Sequence, residues 1–245
     1  MSTGIFGTLV TTPLYNGLVA LMHLLPWADL GIIVIILTCI VRLILFPLAQ
    51  KSVRTQIMMQ EIQPQIDEIK KRFKDDQQEQ AKRIMALYKE KGLNPFASIL
   101  FLFIQIPIIF GLYFMFLRSG LPVIDPSHLY SFVSVPDGVS PLFLGLIDVA
   151  ARSIPLAILA GVSQFLQAQF AKPPEIKNDG TRSFGKEFTK SLHFQMRYVF
   201  PVIIVFIAAA LPASISLYWI TSNLFSTGQE IWTRRALAKD RARNE

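Results

Sequence analysis

The sequence predicts an all-α membrane protein: five transmembrane helices around a hydrophilic groove, with a cytoplasmic helical hairpin and an N-terminal interfacial helix. Composition is the first observation, because the 245 residues are 52% hydrophobic and only 17% charged, with a mean hydropathy of +0.43. Soluble domains carry about 25% charged residues, so an ordinary soluble globule and a disordered chain are both excluded. The other two observations are apolar stretches of membrane-spanning length and the confinement of nearly all Lys and Arg to alternate loops.

The apolar stretches set the number of spans. A hydrocarbon core about 30 Å thick is crossed by a helix of about 20 apolar residues. Five stretches are assigned on this basis, and the fourth, with 15 residues, is short. The predicted transmembrane helices are residues 29–50, 95–117, 153–171, 197–211 and 213–231. Only Pro212 separates the last two, so we expect them to form a transmembrane hairpin.

The N-terminal segment 1–28 contains no Lys, Arg, Asp or Glu. Its apolar part is long enough to span, but Gly7, Pro13 and Asn16 interrupt it. It also lacks the basic start and the small-residue cleavage site of a signal peptide. We interpret it as an extracytoplasmic interfacial helix, with a sixth span as the alternative.

The distribution of Lys and Arg predicts the orientation. Ten lie in residues 51–95, six in 172–197 and five in the tail 232–245, against two in 118–152 and none in 1–28. Basic residues are concentrated on the cytoplasmic side of membrane proteins. The N-terminus is therefore predicted outside and the C-terminus inside. The predicted loops are an extracytoplasmic loop at 118–152, a cytoplasmic loop at 172–196 and a basic cytoplasmic tail at 232–245.

Residues 51–94 are predicted to form the cytoplasmic helical hairpin. Apolar residues recur there at helical spacing, Pro64 predicts a kink, an aspartate at 75 or 76 predicts an N-cap and Gly92 predicts a C-terminal cap. The apolar positions are Met59, Ile62, Ile66, Ile69 and Phe73 in the first helix and Ala81, Ile84, Met85 and Tyr88 in the second. The hairpin is either a charged linker held near the headgroups or a docking arm for a soluble partner or substrate.

Arg42 is the one basic residue in the interior of a predicted span, where an arginine costs about 2.5–3.5 kcal/mol on insertion scales. It could snorkel to the cytoplasmic interface. Alternatively it faces other polar residues, because Thr38 lies one turn away on the same face and other spans also carry polar faces. These contain Gln105 in the second span, Gln167 in the third, and Ser216, Trp219, Asn223, Ser226, Thr227 and Glu230 in the fifth.

Two interpretations of these polar faces stay open. Small polar residues often join membrane helices by hydrogen bonds. Together with a guanidinium that has no acidic partner at its depth, however, polar faces on four helices indicate a hydrated cavity that would attract an anionic group. The single cysteine and three scattered histidines predict no metal site, no cofactor and no catalysis. The net charge of +7 is sorted by membrane side and does not predict specific nucleic-acid binding.

A series of short motifs occurs in order along these spans. They are Thr38 with Ile40-Val41-Arg42, Phe46-Pro47-Leu48, Met85-Ala86-Leu87-Tyr88-Lys89, Asn94-Pro95, Ile104-Gln105-Ile106-Pro107-Ile108, Leu217-Tyr218-Trp219-Ile220 and Ser222-Asn223-Leu224. Each motif is weak alone. In this order, over nearly the whole chain, they resemble the YidC-type membrane protein insertases of the YidC/Oxa/Alb superfamily.

The resemblance implies a groove open to the cytoplasm and to lipid but closed outside. Counterparts of Arg42, Thr38 and Gln105 line it, and those of Tyr218 and Trp219 contact substrate. Tyrosine is common at the position of Trp219, so this residue departs from the pattern. With the candidates from the polar faces, the predicted groove residues are Arg42, Thr38, Gln105, Gln167, Ser216, Trp219, Tyr218 and Asn223.

The resemblance also implies a function. A chain of this family would insert and help fold nascent membrane proteins from the cytoplasmic side of the bacterial plasma (inner) membrane, alone or with the Sec translocon. It would not be an enzyme and would hydrolyse no nucleotide. Its implied partners are nascent membrane proteins, the lipid bilayer, the Sec translocon and the ribosome. The alternatives are an anion transporter or channel that uses Arg42, and an assembly scaffold without insertion activity.

Overall fold

The computed structural model of the chain describes residues 4, 6–94, 106–116, 123–136, 138–170, 191 and 194–244. The described chain is mostly helical, which confirms the all-α prediction. Its helices are α1 (Thr12–Leu24), α2 (Leu30–Ile44), α3 (Phe46–Glu61), α4 (Gln63–Arg72), α5 (Gln77–Glu90), α6 (Ile106–Phe116), α7 (Ile154–Phe170), α8 (Phe200–Ala210) and α9 (Ala213–Asn244). Short π-helical turns, Gly7–Thr11 and Gln195–Val199, precede α1 and α8.

The long helix α9 packs against α2, α3 and α7, while α8 packs mainly on α7. The main apolar core joins residues of α1, α2, α6 and α9, and a smaller cluster joins α7 to α8. Gly161 explains how closely α7 and α8 approach. Any Cβ there would collide with the side chain of Val205 and lie 3.0 Å from the carbonyl oxygen of Pro201. A larger residue at this position would therefore force the two helices apart.

The N-terminal helix α1 is more deeply packed than an interfacial position suggests. Its residues Leu14, Leu18 and Met22 are buried in the main core. Tyr15 accepts a hydrogen bond from the backbone N–H of Asp125 at 2.8 Å. Asn16 donates to the carbonyl of His128 at 3.0 Å and accepts from Tyr130 N–H at 2.7 Å. The middle of α1 therefore fastens the segment 125–130, and its depth in the bilayer stays a prediction.

The predicted first span, 29–50, is divided in the structure. Helix α2 ends at Ile44, α3 begins at Phe46, and their axes differ by 63°. The reason is Pro47, which has no N–H to donate to the carbonyl four residues earlier and whose ring crowds that carbonyl. Proline at the second position of α3 is well tolerated, since the first helical turn needs no such donor. Leu45 is consequently the one residue between the two helices.

The segment 138–151 lies against the first turns of α2 and α9, through hydrogen bonds of its carbonyls with Leu30, Ala213 and Ser214. It contains a small antiparallel hairpin, β1 (Leu142–Phe143) and β2 (Ile147–Asp148), with Phe143 opposite Ile147. The Asp29 carboxylate caps α2 by accepting from Ile32 N–H, and its second oxygen accepts from Leu144 N–H, both at 2.9 Å. Leu144 has a φ of 52°, a conformation that is costly for a branched residue. Asp29 therefore holds a strained turn in place.

In the predicted hairpin, residues 51–94, the break and both caps lie where the sequence predicts them. A break at Ile62 separates α3 from α4 one residue before Gln63-Pro64. Asp76 caps α5 by accepting from Glu79 N–H at 3.0 Å, and Gly92 has a φ of +64°. The apolar face of α5 differs by one position, because Leu87 is buried and Met85 is exposed. Residue 87 faces α4, and residue 85 points away from it.

Helix α9 continues without a break through the predicted boundary at 231. It spans 32 residues, and Glu230 binds Arg234 across the boundary at 2.7 Å. The residues after Trp232 contain no Gly or Pro before Asn244 and are mostly good helix formers, which favours continuation. By length and hydropathy, none of the described helices alone meets the criterion for crossing a bilayer, whereas the bent pair α2 and α3 meets it jointly.

Candidate functional site

The guanidinium of Arg42 lies between α2 and α9. Its side chain faces the protein interior, with only 8% of the residue exposed, and Nη2 donates a hydrogen bond to the hydroxyl of Ser222. Tyr218, one turn before Ser222 on the same face of α9, is also buried. In the part of the chain that is described, no carboxylate takes part in this contact. The structure thus holds a buried cation against neutral partners.

Thr38 is one turn before Arg42 on α2 and is also buried. Its hydroxyl donates to the carbonyl of Val34, four residues earlier, at 2.7 Å. Its one proton is therefore used inside its own helix, and its lone pairs are left as acceptors. The residue consequently adds acceptor capacity beside Arg42 without adding charge.

A second polar contact lies between α9 and α7. Asn223 donates from Nδ2 to the hydroxyl of Ser163 at 3.0 Å, and Ser163 donates to the carbonyl of Ala160 at 2.8 Å. Ser216 lies two turns before Asn223 on the same face, and its buried hydroxyl has no hydrogen-bond partner among the described residues. Successive residues of a helix point about 100° apart. Ser222 can therefore face α2 while Asn223 faces α7.

The predicted groove residues consequently lie at different helix contacts. Arg42 joins α2 to α9 through Ser222, and Asn223 joins α9 to α7 through Ser163. Thr38 lies one turn from Arg42, Tyr218 one turn from Ser222, and Ser216 two turns from Asn223. Trp219 is half-buried between the main core and the α7–α8 cluster. Gln167 is half-buried on α7, one turn beyond Ser163. Gln105 lies outside the described residues.

Sequence reasoning did not include Ser222 among the groove candidates. The polar stripe chosen on the fifth span runs through residues 216, 219 and 223, and Ser222 points about 100° away from Asn223. The available signal was its spacing of four from Tyr218, which places both on one helix face. Its partner Arg42 is 180 residues away in the chain, so only the tertiary contact identifies the pair.

Large apolar side chains are exposed on the outer surface of these helices, whereas several polar side chains are buried between them. Phe206 of α8 is 73% exposed, and other large apolar residues of α7, α8 and α9 are also exposed. On α9, by contrast, most polar side chains before residue 231 face inward. The buried ones are Ser214, Ser216, Ser222, Asn223, Gln229 and Glu230. Among the described residues, no three His, Cys, Asp or Glu side chains form a cluster that could hold a metal ion.

Buried polar contacts beneath exposed apolar side chains are typical of helical membrane proteins. Comparison with known sequences identifies the family within this class. The chain belongs to the 60Kd inner membrane protein family, whose model matches residues 21–240. This confirms the resemblance drawn from the motifs.

Two relatives illustrate the match, and both are named Membrane protein insertase YidC. The chain is 34% identical over 220 residues to the protein of Clostridium tetani (strain Massachusetts / E88), which covers 90% of this chain and 88% of the relative. It is 31% identical over 202 residues to that of Francisella tularensis subsp. novicida (strain U112), covering 82% of this chain. This second match covers only 31% of the relative.

Proposed function

We propose that the chain is a membrane protein insertase and chaperone that accepts nascent membrane proteins from the cytoplasmic side. The polar tail of a nascent segment binds at Arg42 while its apolar part moves into lipid. The observation that carries this proposal is the buried guanidinium, whose described acceptor is the neutral hydroxyl of Ser222. Membership of the family supports it. The protein would act alone or with the Sec translocon.

In this proposal five helical spans surround the Arg42 site, with the N-terminus outside and the C-terminus in the cytoplasm. The exposed apolar side chains of α7 and α8 support contact with lipid. Helix α9, with 32 residues, is about 48 Å long at 1.5 Å per residue. It therefore exceeds a hydrocarbon core of about 30 Å, and its basic C-terminal part would emerge on the cytoplasmic side.

The chemistry of the site favours binding of an anionic group. A carboxylate brings a full negative charge and two acceptor oxygens that can pair bidentately with a guanidinium, which a hydroxyl cannot do. A carboxylate from a nascent tail could therefore replace the Ser222 hydroxyl as acceptor. The carboxylate of Glu230 on the same helix is already bound to Arg234 at 2.7 and 3.1 Å. Ser222 thus lowers the cost of burying Arg42 without neutralising it.

The apolar part of the substrate supplies the driving force without nucleotide. Transfer of its side chains out of water is favourable by about 0.8 kcal/mol for each buried CH₂ group. The helical segment Gln195–Ala210 has 16 residues and is about 24 Å long. A span this short would thin the bilayer locally and shorten the path of the polar tail.

The cytoplasmic hairpin acts as the docking arm in this proposal. A cavity of about 420 Å³ lies between α4 and α5, with Arg72, Phe73 and Arg83 among its lining residues. The two guanidinium carbons lie 5.8 and 5.7 Å from the centre of the Phe73 ring. A cationic and aromatic surface of this kind can contact both acidic and apolar side chains of an emerging segment.

The test is insertion of a single-span substrate with a short acidic N-terminal tail into liposomes that contain the purified protein. Protection of the tail from added protease reports insertion, and empty liposomes give the background. We expect protection with the wild type and its loss with Arg42→Ala. The matched control is Arg243→Ala, which removes an exposed arginine near the end of α9. Full protection with Arg42→Ala would leave an insertase but refute the role of Arg42.

Two other outcomes would replace the proposed function. Flux of small anions that depends on Arg42, without tail protection, would indicate a transporter or channel. Absence of protection from folded protein would indicate a scaffold. Deletion of residues 55–90 is a separate test that distinguishes a scaffold from an insertase. A scaffold that works through the arm should lose all activity, whereas an insertase should keep part of it.

A further inference from the structure

A shallow cavity of about 400 Å³, open to the outside, lies where the bend between α2 and α3 meets α9. It is lined by the rings of Phe46, Phe225 and Trp232, together with Gly228 and Gln229. The centroids of the Phe46 and Trp232 rings are 5.5 Å apart. The Gln229 amide donates to the carbonyl of Phe46 at 3.0 Å, so its polar group is engaged and the other lining side chains are apolar. The cavity therefore suits a hydrocarbon chain.

One exposed face of α9 changes from apolar to cationic as it passes this cavity. Leu224 and Trp232 are 56% and 52% exposed. Gly228, between them, has no atom within 4 Å of the position that a Cβ would occupy. Arg235 and Lys239 follow at steps of three and four residues, and both are exposed. Residues at this spacing share one side of a helix.

The length of α9 gives the depth of this face. Trp232 comes 19 residues after Ala213, which is about 28 Å along the helix axis. This is close to the thickness of the hydrocarbon core, about 30 Å. Trp232 is thus at the level of the inner headgroup boundary, where tryptophan is enriched. Arg235 and Lys239 extend beyond it into the headgroup zone.

We propose that this surface binds an acidic phospholipid of the inner leaflet. One acyl chain occupies the cavity beside Gly228, and Arg235 and Lys239 bind the phosphate and headgroup. Arg234 is not part of the site, because Glu230 binds its guanidinium. The apolar cavity and the two cations are complementary to the two ends of such a lipid. The inference shares with the proposed function only the placement of α9 in a bilayer.

The test uses the purified full chain in detergent, exposed to an equal mixture of phosphatidylglycerol and phosphatidylcholine, with bound lipid counted by native mass spectrometry. Gly228→Leu fills the cavity, and its side chain enters open space. Arg235→Gln and Lys239→Gln remove the headgroup contacts. Ala238→Leu and Arg243→Gln are the matched controls, because they make the same kinds of change elsewhere on α9. Circular dichroism checks that each variant is folded.

The wild type is expected to retain one phosphatidylglycerol in preference to phosphatidylcholine. Each glutamine variant should weaken phosphatidylglycerol binding about fivefold, Gly228→Leu should reduce retention of both lipids, and the controls should match the wild type. Equal retention of both lipids by the wild type, or unchanged retention by Gly228→Leu, would overturn the proposal. Glutamine variants that lose binding to ribosomal RNA but keep lipid would overturn it in favour of a nucleic-acid contact. Retention does not depend on insertion activity, so the two proposals can fail separately.

Discussion

The charge of Arg42 should set a preference for acidic tails over neutral ones, and the size of that preference follows from the site. Two unit charges about 4 Å apart attract by about 4 kcal/mol at an effective dielectric constant near 20. Binding a carboxylate would break the hydrogen bond from Arg42 to Ser222, and a bond of this charged kind contributes about 1.5–3 kcal/mol. The difference is about 1–2.5 kcal/mol, or about 5- to 70-fold in rate.

The assay compares initial insertion rates for two substrates that differ only in tail charge, in liposomes with each Arg42 variant. Arg42→Ala should remove the 5- to 70-fold preference, and Arg42→Lys should keep most of it. Arg42→Glu should invert the preference, since like charges repel. Ser222→Ala should increase it, because the competing acceptor is gone while the charge remains.

Equal slowing of both substrates by Arg42→Lys and Arg42→Ala would refute this reasoning. The guanidinium would then act through its shape and hydrogen bonds. A preference for acidic tails that survives Arg42→Ala would also refute it. The cations of the hairpin would then be the candidate source of the preference.

Three further predictions concern other parts of the fold. Asp29→Ala should destabilise the protein by about 2–4 kcal/mol, because it removes a helix cap and the bond that holds Leu144; faster amide exchange at Leu144, with a smaller effect for Asp29→Asn, would verify this. Gly161→Ala should cost about 1–3 kcal/mol by overpacking against Val205, and a thermal melt in detergent that matches the wild type would contradict it. Burial raises the pKa of Tyr88 above its ordinary value of 10.0, so hairpin stability should fall as the pH rises above that value, where only the unfolded state ionises. Circular dichroism against pH measures this, and Tyr88→Phe should remove the dependence.

Local features of the fold followed from the sequence because short-range chemistry decides them. Asp76 caps α5 through an N–H three residues away, and Gly92 adopts a positive φ that other residues avoid. The helical period also predicted Ile66 and Ile69 on the inner face of the hairpin. The prediction that Met85 lies on the apolar inner face of α5 was wrong, because Leu87 occupies that face instead. The sequence alone does not show which of these two positions faces α4.

The site could be predicted only in part, because some of its contacts join residues that are far apart in the chain. Arg42 and Thr38 are one turn apart, so their common face is visible in the sequence. The role of Ser222 is not visible, because its partner is 180 residues away. The strained turn at Leu144 likewise depends on a carboxylate 115 residues earlier in the chain. Neither contact leaves a periodic signal.

The sequence by itself determined the helical class, the family, the separation of apolar and basic segments, and the caps of the helical hairpin. These features depend on composition and on contacts within about one helical turn. Such local contacts do not depend on how the rest of the chain folds. Only the tertiary structure decided how α1 packs, which hydroxyl faces Arg42, and how the bend after Ile44 forms a cavity with α9. Those features depend on the direction from which a distant helix approaches, and burial then makes each such contact costly to leave unsatisfied.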